Sequence, residues 1–200
     1  EMRQAGIKII YSIPGLKVHA KVALVLRRGE AADFACLSTG NFNEKTAKAY
    51  SDMALLTCDK LIVDDVNRVF EVLEGHLEHP HFDRLLVARF NMVPELIRLI
   101  RREADLARAG RGGRIILKMN GLQDKQMIDE LYEAGQAGVE NDLLVCGICW
   151  LTPDRSYSPN IRLTRIVDMF LEHTRIWYFR GDGDERLFLT SSDWMRRNLN

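Results

Sequence analysis

The chain has 200 residues, 46% of them hydrophobic, enough to bury one sizeable core or two small ones. Its 28 basic and 28 acidic residues cancel, which argues against a general nucleic-acid binder and leaves room for a local basic pocket. No run of about 18 apolar residues and no signal peptide is visible, so no transmembrane segment is expected. The four cysteines, Cys36, Cys58, Cys146 and Cys149, form no disulfide framework, and a reducing cytoplasm is the expected setting. A first residue that is Glu and a last residue, Asn200, just past a motif read as a piece of a longer protein.

In chain order, residues 7–12 form a short apolar strand closed by the turn pair Pro14-Gly15. Residues 16–24 read as a second strand, with Val18, Ala20 and Val22 on one face and His19 and Lys21 on the other. Val25 and Leu26 prolong the apolar run, which predicts burial on both faces. A buried histidine and lysine then need partners or a functional site. Arg27 to Glu30 connects, hairpin-like, to a strand over 34–37. Asn43 is a good N-cap for a short helix in the 41–50 stretch, and 53–57 is another strand. Val66, Val69, Phe70 and Leu73 predict an amphipathic helix over 64–77, with Asp64 and Asp65 at its start. His76, His79 and His81 follow in a proline-interrupted stretch that reads as an exposed connector.

A second unit begins near Arg84. Pro94 opens a long helix that ends at Gly110-Arg111-Gly112-Gly113. That glycine cluster follows a helix and precedes a strand, the wrong order for a phosphate-cradling loop. A strand over 114–119, a helix capped by Asp124, and a strand over 142–150 come next. Cys146 and Cys149 then sit in an apolar strand and read as buried thiols, with no second pair to complete a zinc site. A helix over 160–172, a strand over 175–179, a turn at 181–184 and a strand over 187–189 complete the alternation. The class is α/β with layered sheets, divided as 1–86 and 87–200.

The two units share an order: His-x-cation, strand, turn, strand, polar loop. Thr39 lies twenty residues past His19, and Ser192 nineteen past His173. Each half can thus bring a histidine, a cation and hydroxyl or amide donors to one sheet edge, as two halves of one phosphoryl-transfer site. A neutral imidazole attacks phosphorus well. Lys21 and Arg175 offset charge on non-bridging oxygens. Asn41, Asn43, Ser191 and Ser192 donate hydrogen bonds or orient an imidazole, and the second histidine protonates the leaving group.

Longer motifs carry a resemblance. Lys17-Val18-His19-Ala20-Lys21, the run from Ser38 to Ala47, and Tyr50 with Asp52 closely resemble polyphosphate kinase of the phosphohistidine-forming type. So do Leu117-Lys118-Met119-Asn120, Phe170-Leu171-Glu172-His173 and Ser192-Asp193-Trp194-Met195 with Arg197-Asn198. The resemblance covers nearly all of the chain. It implies the C-terminal catalytic region of that family, with two incomplete phospholipase-D-like domains. His19 falls on the phosphorylated histidine, His173 on the second catalytic histidine, and Tyr50 on a nucleotide-contacting tyrosine. Lys118, Asn120 and Asp193 join the substrate-binding set. The implied reaction moves the terminal phosphate of ATP reversibly onto polyphosphate, with Mg2+. The magnesium-associated arginines would lie before residue 1, so no metal ligand is expected in this chain. Homo-oligomerisation when full length, and inactivity of this stretch alone, are also implied.

The chain departs from the family pattern. Cys146 stands where an arginine contacts nucleotide phosphates. Met169 and Val93 also stand where basic residues are usual. Arg89, where proline is usual, and Arg155 are candidates to compensate. A second reading is therefore a module that binds polyphosphate or a partner without turnover. A third, a phospholipase-D-type phosphodiesterase or nuclease, lacks its usual aspartate four residues past Lys21, where Val25-Leu26 stand.

Overall fold

A computed structural model describes residues 3–11, 18–29, 32–154 and 156–199. Strands β1 (Val22–Val25), β2 (Phe34–Ser38) and β3 (Ala54–Thr57) form an antiparallel sheet in that order. Between β2 and β3 lies the one-turn helix α1 (Glu44–Ala47). Helix α2 (Lys60–Leu73) covers one face of the sheet, packing Val63 and Val66 on Ala35. The other face is open: Val25 is 55% and Leu56 72% exposed.

The second unit holds helix α3 (Met92–Arg108), β4 (Arg114–Met119), α4 (Lys125–Gln136), β5 (Glu140–Val145) and β6 (Ile161–Thr164). Then come β7 (Arg175–Phe179), β8 (Arg186–Thr190) and the short helix α5 (Arg196–Leu199). The five strands lie in the order β6-β5-β4-β7-β8, the first two pairings parallel and the last two antiparallel. Leu96, Leu99 and Ile100 of α3, Leu131 of α4 and Ile115, Leu117, Trp177 and Phe179 of the sheet make the main core. Each such side chain contributes about 1.5–3 kcal/mol by leaving water.

Several expectations need correction. The strand at His19 does not run over 16–24. Residues 18–20 are irregular, β1 starts at Val22, and Leu16 and Lys17 lie outside the described residues. Nor is it buried on both faces, because β1 is an edge strand with α2 on one side only. Residues 7–11 form no strand and are exposed, although Lys8 pairs with Glu74 at 3.1 Å. The turn at Pro14-Gly15 and the residues Ser12, Glu30 and Arg155 also lie outside the description.

Helix α2 begins four residues before Asp64, because the Asp59 carboxylate accepts from the Ile62 amide at 3.1 Å and caps it there. It ends at Leu73, before Gly75 with its φ of 78°. Strand β5 stops at Val145, and Cys146 to Trp150 leave the sheet. The helix expected over 160–172 is strand β6 and a loop. Its first part is paired with β5, where Ile161 and Leu163 face the core, and tertiary pairing overrides the helical spacing of Ile166, Val167, Phe170 and Leu171. Those four side chains are exposed. No helix among the described residues is long and apolar enough to cross a membrane.

One consequence of the topology places the site. The C-terminal ends of β4, β5 and β6, the start of β7 and the end of β8 all lie on one edge of the larger sheet. In the smaller sheet, the start of β1, the end of β2 and the start of β3 likewise share an edge. The two edges meet.

Candidate functional site

His19 lies just ahead of β1, whose pairing is opened by the Ser38 amide donating to the Lys21 carbonyl at 2.8 Å. Its Nδ1 lies 3.1 Å from the Ser191 carbonyl oxygen. A carbonyl can only accept, so the proton is assigned to Nδ1 and Nε2 keeps its lone pair. Lys21 Nζ donates to the His19 carbonyl at 2.7 Å and lies 3.2 and 3.3 Å from the two ring nitrogens. The imidazole pKa is held below its ordinary value. Burial is the largest cause, the Lys21 and Arg175 cations add to it, and the Ser191 bond and Asp193 oppose it. The environment thus favours the neutral Nδ1–H imidazole, with a cation beside it.

His173 precedes β7. Its Nδ1 is 2.7 Å from Asp52 Oδ1, a carboxylate of the first unit. That bond fixes the Nδ1–H tautomer and leaves Nε2 to exchange protons with a ligand. Asp52 is itself fixed: Thr39 Oγ1 donates to it at 2.9 Å, and the Thr39 hydroxyl accepts from the Met53 amide at 3.0 Å. Gly40 makes the packing possible, since a Cβ there would sit 2.0 Å from Asp52 Oδ2. The Tyr50 ring lies 5.1 Å from the His173 ring, tilted. Around it the halves are tied by backbone bonds: the Ser51 amide to Leu171 O at 2.9 Å, and Thr174 N to Ser51 O at 3.0 Å.

Arg175 and Asp193 form a buried pair behind the two histidines. Arg175 Nε and Nη2 each donate to the Asp193 carboxylate at 2.9 Å, and Nη1 donates to the His173 carbonyl at 2.7 Å. Asp193 Oδ1 also accepts from the amides of Asn120 and Gly121, at 2.8 and 3.1 Å. Both side chains are thus committed to positioning, and Arg175 acts on the site through its field. Lys118 Nζ donates to Thr174 O at 2.8 Å and pairs with Glu172 at 3.2 Å. The Asn120 amide, oriented with its nitrogen toward Glu172 O at 3.1 Å, accepts from Arg175 Nη2 at 3.2 Å.

The remaining expected residues are spread more widely. Asn43 spends its side-chain oxygen on capping α1, accepting from the Lys45 and Thr46 amides at 3.0 and 3.2 Å. Asn41 is exposed on the loop before it. Ser191 contributes its carbonyl, and the Ser192 hydroxyl donates to Asp193 O at 3.2 Å. Beside His19 opens a cavity of about 820 Å³. His19, Lys21, Ser191, Ser192, Arg84, Arg89 and Arg197 are on its otherwise mainly apolar wall, no carboxylate among the described residues lines it, and His173 is outside it.

Among the residues where the family pattern is broken, Arg89 holds an unusual φ of 68° on this wall. Cys146 is a free, half-buried thiol in the loop after β5. Met169 is 85% exposed and Val93 packs against the main core. Trp177 and Trp194 are core residues, stacked edge-on at 5.7 Å.

Sequence reasoning gave no role to Asp52, Thr39, Gly40 or Ser51. The signal was present in part, because Asp52 sits two residues past Tyr50 in the same motif. What makes it the partner of His173 is contact over 121 positions of sequence.

The family model described as polyphosphate kinase C-terminal domain 1 matches residues 1–79, and that for C-terminal domain 2 matches residues 85–200. A polyphosphate kinase of Yersinia pestis is 46% identical over 198 residues, covering 98% of this chain and 29% of its own length. One from Synechocystis is 43% identical over 203 residues, covering all of this chain and 28% of its own length. A crystal structure of polyphosphate kinase from Porphyromonas gingivalis superposes with a TM-score of 0.91 at 54% identity, covering 97% of this chain and 33% of that one. The chain therefore spans less than a third of the length of these relatives. Two family models over almost the whole length, with this fold, establish that the chain belongs to the polyphosphate kinase family.

Proposed function

We propose that the full-length protein carrying this chain transfers the terminal phosphoryl group of ATP reversibly onto polyphosphate, through a phosphorylated His19. The observation that carries this reading is reciprocal: each histidine has its Nδ1 held by the opposite half, His19 by Ser191 and His173 by Asp52. Nε2 of His173 is thereby left for chemistry at the junction of the two sheet edges, while Nε2 of His19 faces Lys21 Nζ at 3.3 Å, a donor that an incoming phosphate draws to its own oxygens. His19 Nε2 attacks the γ-phosphorus, an N–P bond forms, and the bond to the ADP oxygen breaks. Lys21 offsets the charge that develops on the non-bridging oxygens. In its doubly protonated form, with Nδ1–H on Asp52, His173 passes the Nε2 proton to the leaving oxygen and recovers one from the acceptor, a contribution typically worth about 10²–10⁴-fold in rate. In the second half-reaction a terminal oxygen of polyphosphate attacks the phosphorus, the N–P bond breaks and His19 is regenerated. Arg84, Arg89 and Arg197 put positive charge on the wall of the cavity beside His19, which is otherwise mainly apolar, and that charge supports a polyanionic acceptor at its polar end.

Magnesium belongs to this reading as a companion of the ATP phosphates. Among the described residues no group of three or more His, Cys, Asp or Glu is placed to hold a metal ion. Assembly of the full-length protein into homo-oligomers is part of the same reading.

The test is labelling. Full-length protein incubated with γ-labelled ATP is expected to gain an acid-labile label that His19→Ala loses. A label that persists in that variant would overturn the assignment. A second reading, polyphosphate binding without turnover, is favoured by the uncharged thiol at Cys146. It predicts bound polyphosphate with no release of ADP.

A further inference from the structure

The edge of the larger sheet carries an exposed arginine, Arg165, that the transfer scheme leaves unused. Strands β4, β5 and β6 are parallel, so the loops after them emerge together, with Asn120 after β4, Cys146 after β5 and Arg165 after β6. His173 enters the same edge ahead of β7, which pairs with β4. Arg165 therefore leaves the sheet three strands from β7, roughly 14 Å at one strand spacing each. Its Nε donates to the Cys146 carbonyl at 3.0 Å. That bond brings the side chain one strand nearer to the histidine, over the loop whose Gly147 amide donates to Asn120 O at 2.9 Å.

The two cations beside His173 at this edge are committed. Arg175 is sealed by Asp193 and the His173 carbonyl. Lys118 is held by Glu172 and the Thr174 carbonyl. Arg165 is exposed, and among the described residues its two terminal amino groups bond to no protein atom. A guanidinium tethered at Nε and open at its fork presents two parallel donors, the geometry that matches two oxygens of one phosphate. Cys146, on whose carbonyl it rests, brings no such donor to the position.

We propose that Arg165 is a phosphate-binding residue of this site. It would grip a phosphate further along the chain than the one being transferred, and supply from β6 the positive charge that residue 146 does not. The proposal rests on the transfer reading above for the identity of the ligand, whose phosphates belong either to the nucleotide or to polyphosphate.

Calorimetric titration of the full-length protein with ATP and, separately, with polyphosphate tests it without requiring turnover. Arg165→Gln is expected to weaken binding of one ligand by about tenfold, the scale of one charge-assisted contact. The ligand affected identifies the source of the phosphate. Arg165→Lys should retain part of the affinity. Cys146→Arg in the Arg165→Gln background should restore most of it, which a merely structural tie to the 146 carbonyl would not do. Equal dissociation constants for wild type and Arg165→Gln with both ligands, at unchanged thermal midpoints, would overturn the proposal. Failure of the His19 labelling experiment would instead overturn the transfer reading, and the titrations would still judge Arg165.

Discussion

His19 is poised by its immediate surroundings. Burial and the cations Lys21 and Arg175 all disfavour the imidazolium, and only the Ser191 carbonyl and Asp193 favour it. The sign of one contribution is directly testable. Replacing Lys21 with Met removes a positive charge beside the ring, so the folded-state pKa must rise toward the ordinary imidazole value. The His19 titration followed by NMR in Lys21→Met is expected to move to higher pH than in the native protein, and an unmoved or lower midpoint would refute the electrostatic role. The nearness of His19 and Lys21 was legible in sequence, as two polar residues two positions apart beside an apolar run. The tautomer was not, because it depends on a carbonyl 172 residues away.

Elements show where local pattern suffices and where it fails. Strand β4 and helices α1 and α4 follow their local signals: alternation in Arg114–Met119, and Asn43 and Asp124 as caps whose side chains accept from the amides of the first turn. Strand β6 defeats them, since its residues fit a helix as well as a strand until β5 offers a parallel partner. Helix α2 shows another limit. Asp65 reads as a residue placed for the helix dipole, yet it is fully buried within the helix. Its carboxylate accepts from the amides of Asp83, Arg84 and Leu85 at 3.1, 2.7 and 2.9 Å and pairs with Arg68. It thus pins the segment that leads from the first unit to the second. Asp65→Ala leaves those three amides without their acceptor and Arg68 with Asp83 alone, and a loss of about 3–5 kcal/mol is expected from three hydrogen bonds to a buried carboxylate. Urea unfolding of the full-length protein checks it; a loss under about 1 kcal/mol would mean that water replaces the carboxylate fully.

At the scale of the whole molecule the two units brace each other across the site. The Asp52–His173 bond, the Ser51 backbone pairing and the His19–Ser191 contact all cross between them. If Asp52 acts by orienting His173, removing either should disable the same step. Asp52→Ala is expected to lower kcat on the order of 10²-fold, and the Asp52→Ala/His173→Ala double variant to be no slower than His173→Ala alone. Additive losses would give Asp52 a separate task.

The sequence by itself determined the α/β class, the two histidines, the cations at fixed offsets from them and the family those motifs resemble. All of these are short-range: a period of two or 3.6, a cap, or a contiguous motif. Only the tertiary structure decided that Arg175 and Asp193 are spent on each other behind the site, that Asn43 is spent on a helix cap, that Asp52 orients His173, and that Arg165 lies over Cys146. The physical reason is the same in each case. A hydrogen bond is made with whatever donor or acceptor the fold brings within about 3 Å. Which groups arrive there is set by strand order and by the meeting of two sheet edges, and neither is written in any local stretch of the chain.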